Sequence, residues 1–205
     1  MSVDVPFTKR RAISGGGAPA APRTAPPPRE GGQGGTPALP SDSPAAPPVS
    51  PHDRLRRLFR YHAWAAATLA RAAGPSEAAL RPLAHALTAD RVWLLRLRGE
   101  PTEGVALWPD LGPEGAVALA RLNAEAAAAY LDGLDPDGLR QPVAYRTSAG
   151  VRHETAVGDV LDHVLLHAAH HRGQANAALR ADGIDPPHVD FVAWLRAGEP
   201  GASQE

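Results

Sequence analysis

The chain has 205 residues, 43% of them hydrophobic, which is enough for one domain with a real core and too few for two large ones. Its formal net charge of −1 argues against a dedicated nucleic-acid binder, which normally carries a basic field. With no cysteine, disulfides, thiolate ligands and a cysteine nucleophile are all excluded, so any thiol in the chemistry must arrive with a substrate. No window approaches the roughly 18 consecutive apolar residues of a membrane helix. The beginning of the chain lacks the apolar stretch of a secretory signal, and the expectation is a cytoplasmic protein with no nucleic-acid or membrane partner.

Residues 1–50 hold half of the 22 prolines, together with Gly15-Gly16-Gly17 and Pro26-Pro27-Pro28, and almost no large apolar side chains. Such a segment cannot bury enough surface to offset its ordering entropy, and it is predicted to be a disordered tail. The basic triplet Lys9-Arg10-Arg11 reads as part of that solvated tail.

At Pro51 the composition changes. Asp53 is the predicted N-cap of a first helix that runs to Ala73 and ends at Gly74-Pro75, with Leu55, Leu58, Phe59, His62, Ala66 and Leu69 on one face. A second helix is expected from Ser76 to Arg98, kinked by Pro82 or starting only near Arg81. It carries His85. A loop over residues 101–113 contains Leu107-Trp108-Pro109-Asp110, and the alanine-rich run Glu114–Leu131 predicts a third helix. The alternating runs Val143–Thr147 and Val151–Thr155 around Ser148-Ala149-Gly150 predict a β-hairpin. A fourth long helix covers Gly158 to Leu179, and a short one covers Val189 to Arg196. The expected fold is all-α: an up-down four-helix bundle over residues 51–198, with a small β-hairpin before the fourth long helix and a C-terminal tail from 199.

The fourth helix carries the chemistry. His163, His167, His170 and His171 are four of the chain's nine histidines. Residues four apart sit about 40° apart on a helix, so these side chains share one stripe. Imidazoles at i and i+4 can aim ring nitrogens at one point, which makes His163/His167 and His167/His171 two alternative chelating pairs. A histidine in a helix is commonly a hydrogen-bonded packing residue, but four on one stripe repel when protonated and call for a compensating ligand such as a metal. His85 is the best candidate to complete a three-histidine site. No His-Glu-x-x-His motif is present, so zinc-protease chemistry is not supported. Asp90, about 140° round the second helix from His85, is not expected to be a ligand. Arg172 is expected to pair with it. Gly173 is read as a place where helices approach closely, Trp64 as a minor candidate for pocket lining, and His52, His153 and His188 as residues without a role.

Several separated motifs carry a resemblance: Leu58-Phe59-Arg60-Tyr61-His62-Ala63-Trp64-Ala65, Leu83 to Leu94 around His85, Leu107-Trp108-Pro109-Asp110-Leu111, Pro142 to Thr147, and His167 to Gln174. In this order, over residues 53–196, the chain resembles the DinB family, in the superfamily of DinB-like and YfiT-like metalloenzymes. The resemblance implies a four-helix bundle with one divalent metal, zinc or nickel, held by His85, His167 and His171. It also selects His167/His171 over His163/His167, which spacing alone leaves open. Relatives include S-transferases that use small thiols such as bacillithiol or mycothiol, so it implies a small-molecule substrate, a low-molecular-weight thiol among them, and a homodimer. The family's first helix often has asparagine where this chain has His62 and Ala66. Three neutral imidazoles leave an open coordination position, as in catalytic zinc sites, and thiol transfer or hydrolysis are the reactions expected of it. His163, His170 and Gln174 are the candidate catalytic residues beside the ligands. The competing expectation is a metal-binding or stress-response module without catalysis.

Overall fold

The structure, a computed structural model, describes residues 49–147 and 149–201. The predicted tail and its basic triplet lie outside the described residues. The elements in chain order are α1 (Pro51–Ala73), α2 (Glu77–Leu97), α3 (Pro113–Asp132), a 3₁₀ turn (Gly138–Arg140), β1 (Pro142–Arg146), β2 (Arg152–Ala156), α4 (Val157–Ala181) and α5 (Phe191–Arg196). The four long helices and the hairpin are therefore where the sequence places them.

The helix starts differ in instructive ways. Ser50, not Asp53, caps α1: its Oγ accepts from the Asp53 N–H at 3.1 Å and donates to the Asp53 carboxylate at 2.7 Å. Pro51 follows at the first helical position, where its fixed φ suits the helix and its missing N–H would be unpaired anyway. Pro82 does not delay α2, because Ser76 caps the helix from Glu77. The ring forfeits only the bond to the carbonyl of Ala78, an exposed residue in the first turn. Gly74 ends α1 at φ +51°, a backbone region that side chains resist.

Two apolar clusters fill the bundle. One joins Leu69, Leu83, Leu87, Ala116, Ala120 and Leu179; the other joins Phe59, Leu94, Leu131, Leu161 and Val164. The first takes the C-terminal half of α1, the N-terminal halves of α2 and α3, and the C-terminal half of α4. Hence α1 and α4 run one way and α2 and α3 the other, so the four helices do not alternate strictly as the expected up-down order requires. The loop from Arg98 to Gly112 returns the chain along the bundle before α3 begins.

Between the clusters, every long helix contributes a buried polar group: His62 from α1, Asp90 from α2, Asn123 from α3, and His171 and Arg172 from α4. Arg172 Nη1 donates to His62 Nδ1 at 2.8 Å, and His62 Nε2 donates to Asp90 Oδ2 at 2.7 Å. The expected Arg172–Asp90 pair is thus mediated by His62. Asn123 Nδ2 donates to the Leu87 carbonyl at 2.7 Å. Gly173 meets no neighbour where a Cβ would be, so it is not a close-approach position.

The C-terminal segment closes over α1. Trp194 is buried among Tyr61, Trp64 and Phe191, the Tyr61 hydroxyl donates to the Val189 carbonyl at 2.6 Å, and Glu199 pairs with Arg57 and Arg60.

Removing one member of a buried charged network strands the rest. Asp90→Ala is expected to cost about 3–5 kcal/mol in urea denaturation. Arg121→Ala, which breaks a pair with both side chains more than half exposed, is expected to cost less than about 1 kcal/mol.

Candidate metal centre

His85 on α2 and His167 and His171 on α4 meet across the interface of these two closely packed helices. One ring nitrogen of each lies within 4.8 Å of the others. The His85 ring centroid is 5.3 Å from that of His167 and 4.7 Å from that of His171. The i,i+4 spacing on α4 turns the Nε2 atoms of His167 and His171 toward each other at 3.1 Å. At a metal–nitrogen distance of about 2.0–2.1 Å, nitrogens so spaced subtend roughly 95–100°. That angle lies between those of octahedral and tetrahedral sites, so the His167–His171 pair can chelate a first-row divalent ion, and His85 brings a third ring nitrogen within 4.8 Å of the pair.

Two ligands have their other ring nitrogen engaged. His85 Nδ1 donates to the Leu107 carbonyl at 2.8 Å, and His171 Nδ1 donates to Gln174 Oε1 at 2.7 Å. Each bond fixes ring orientation and leaves the Nε2 lone pair for a cation, the usual outer support of metal-binding imidazoles. The Trp108 ring stacks on His85 at 3.9 Å between centroids and 10° between planes, with the Arg81 guanidinium 5.3 Å from the same indole. The returning loop therefore clamps His85 from two sides.

Burial and the neighbouring imidazoles keep His167 and His171 neutral. Burial, then the neighbouring His171 and His85, pull His167 down to about 4, against a smaller opposing effect of Asp90. Burial likewise lowers His171, with the Gln174 bond opposing. Both imidazoles are therefore unprotonated at neutral pH, the form that binds a metal.

The other sequence candidates fall into place around this centre. Gln174, besides supporting His171, donates through Nε2 to His170 Nε2 at 3.0 Å. His170 is exposed and tied to that amide. His163, also exposed, has its ring 5.7 Å from that of His167 and packs against the edge of Trp93. Asp90 bonds His62 through Oδ2 and is not one of the three converging residues, while its charge still acts on His167 and His171. Trp64 belongs to the aromatic cluster around Trp194, which removes it from the pocket lining.

Beside the imidazoles opens a cavity of about 320 Å³, bounded by His85 and His167, by Ala89, Val92, Trp93 and Arg96 of α2, by Leu107, and by Tyr145, Thr147 and His153 of the hairpin. The hairpin pairs Tyr145 with His153 in register and docks on α2 through Tyr145, whose ring meets Trp93 at 4.9 Å. His153, to which the sequence gives no role, is thus part of the cavity wall. Reading the sequence also overlooks the Leu107 carbonyl and the Trp108 ring. A tryptophan in a short loop opposite a histidine helix is the available signal for the second; a main-chain oxygen leaves none.

His85→Ala or His167→Ala is expected to lower bound zinc or nickel well below one per chain by elemental analysis of untagged protein, while His153→Ala leaves it unchanged. Equal loss in all three, or in none, would discard this ligand set.

The pH dependence has a defined sign. Metal-free folded protein takes up the His167 proton near pH 4, the unfolded chain near 6.5, so the unfolded state binds more protons between these values. Stability of the metal-free protein should fall as pH drops from 6.5 toward 4. Part of that fall should be missing in His167→Gln, as read by the difference in thermal midpoints between the two proteins.

The model of the DinB family matches residues 59–202. No curated protein and no solved structure matches the chain.

Proposed function

Since the chain belongs to the DinB family, we propose that it holds one divalent metal through His85, His167 and His171 and acts as a metal-dependent enzyme on a small molecule. The convergence of three imidazole nitrogens within 4.8 Å at the edge of a cavity carries this reading. An all-imidazole set suits zinc or nickel and disfavours magnesium and calcium, which take oxygen ligands.

Bound there, such an ion supplies Lewis acidity that favours the deprotonated form of a thiol or a water. The protein's own part is positional. Leu107 and Gln174 hold two of the rings, and Val92, Trp93, Leu107 and Tyr145 offer apolar and aromatic surface to a substrate's body. We assign to His163, exposed with its ring 5.7 Å from that of His167, the role of accepting the proton that a thiol or water releases. With no cysteine in the chain, a sulfur nucleophile comes from outside, and transfer of a low-molecular-weight thiol to an electrophile is the preferred reaction class, with hydrolysis second.

Zinc- or nickel-loaded protein incubated with cysteine, glutathione and other small thiols plus 1-chloro-2,4-dinitrobenzene should show turnover above the uncatalysed rate with at least one thiol. His167→Ala should abolish it. A protein that keeps its metal yet turns over no thiol pairing and no ester would be a metal-binding module without catalysis.

A further inference from the structure

Arg96 is the permanently charged group of the cavity, and the proposed metal site leaves it unused. It follows His85 on α2 by eleven residues, about 20° around the helix and roughly 16 Å along it. Ala89 and Val92 lie between them on the same stripe. The guanidinium carbon lies 4.6 Å from the Trp93 ring and 5.7 Å from the Tyr145 ring. Its Nε is buried without a hydrogen-bond partner, and among the described residues no carboxylate lies within ion-pair distance of it. The acidic neighbour in sequence, Glu100, is paired with Arg98 instead. Burial accordingly lowers Arg96 from its ordinary value.

The cavity's charge is one-sided. Arg96 is the one fixed charge among the residues that bound it, and no aspartate or glutamate does. A half-buried guanidinium between two aromatic faces, short of hydrogen-bond acceptors, is matched by a planar oxyanion that can take two parallel N–H groups. We propose that Arg96 is the anion-recognising residue of this cavity, and that the small molecule it admits carries a carboxylate at the end remote from the group that meets the imidazoles.

This deepens the proposed function and rests on the same cavity, but Arg96 and the metal are separable. The apolar floor of Ala89 and Val92 sets the spacing, so chain length matters as well as charge. Arg96 acts in binding and in specificity; no chemical step is assigned to it.

The test uses zinc-loaded and metal-free protein with a series of ω-mercaptoalkanoic acids, the corresponding thiol-free alkanoic acids, and the primary amides of both. Binding is read by calorimetry. Zinc-loaded wild type should bind the best-fitting mercapto acid at least roughly tenfold more tightly than its amide, as expected for a charge-assisted contact. Arg96→Met should bring that ratio close to one while zinc stays at one per chain, and Arg96→Lys, which keeps the charge but not the fork, should restore part of it. An equal affinity for acid and amide in wild type, or a preference that survives in Arg96→Met, would overturn the proposal. If the three histidines bind no metal, metal-free wild type should still prefer alkanoic acids to their amides through Arg96, so failure of the metal site and failure of the anion site give different results.

Discussion

A carboxylate removed from water must be compensated, and Asp90 is 1% exposed. The compensation comes from α1 and α4 together, through His62 and then Arg172. That three-residue relay ties three of the four long helices at one level, and Asn123 adds the fourth by bonding the main chain of α2. Apolar clusters above and below supply the burial energy, but leucine against leucine and alanine tolerates sliding. The polar layer does not, because a shift of one residue on α1, α2 or α4 would break the bonds that His62 makes to Asp90 and Arg172. The register it imposes sets α2 against α4 where His85 faces His167 and His171. The convergence of the imidazoles is thus a consequence of a network that touches none of their ring nitrogens.

The same layer bears on the departure at His62. Where the resemblance leads one to expect asparagine, this chain places an imidazole that accepts from Arg172 and donates to Asp90 at once. An imidazole with one protonated nitrogen does both without a formal charge of its own. The polar group at this position is structural in this chain, packed inside the bundle between the two apolar clusters, rather than part of the cavity lining.

Much of this was legible in the sequence because it is local. Helical spacing brought His167 and His171 onto one stripe, and alternation located the hairpin within a residue. Resemblance, rather than spacing, singled out their pairing with His85. What sequence could not supply is long-range or carried by the backbone. His62 reads as one more member of an amphipathic face until Asp90 and Arg172 arrive from other helices. For Arg172 the sequence points to the right network but the wrong immediate neighbour, since spacing cannot reveal an intervening third side chain. The shared direction of α2 and α3 follows from a loop whose path has no periodicity to read. Pro82, taken alone, argues for a break that Ser76 makes unnecessary.

The contact between His85 and residue 107 is made through a main-chain oxygen. A side-chain partner can be lost to a single base change, whereas every amino acid at position 107 brings the same carbonyl. The orientation of this imidazole is therefore insulated from drift in the loop's composition, and the loop remains free to change the character of the pocket's rim. It is sensitive instead to length: an insertion or deletion between Arg98 and Gly112 would move that oxygen away from the ring, so tolerance to substitution and intolerance to indels should coexist within one short stretch of chain.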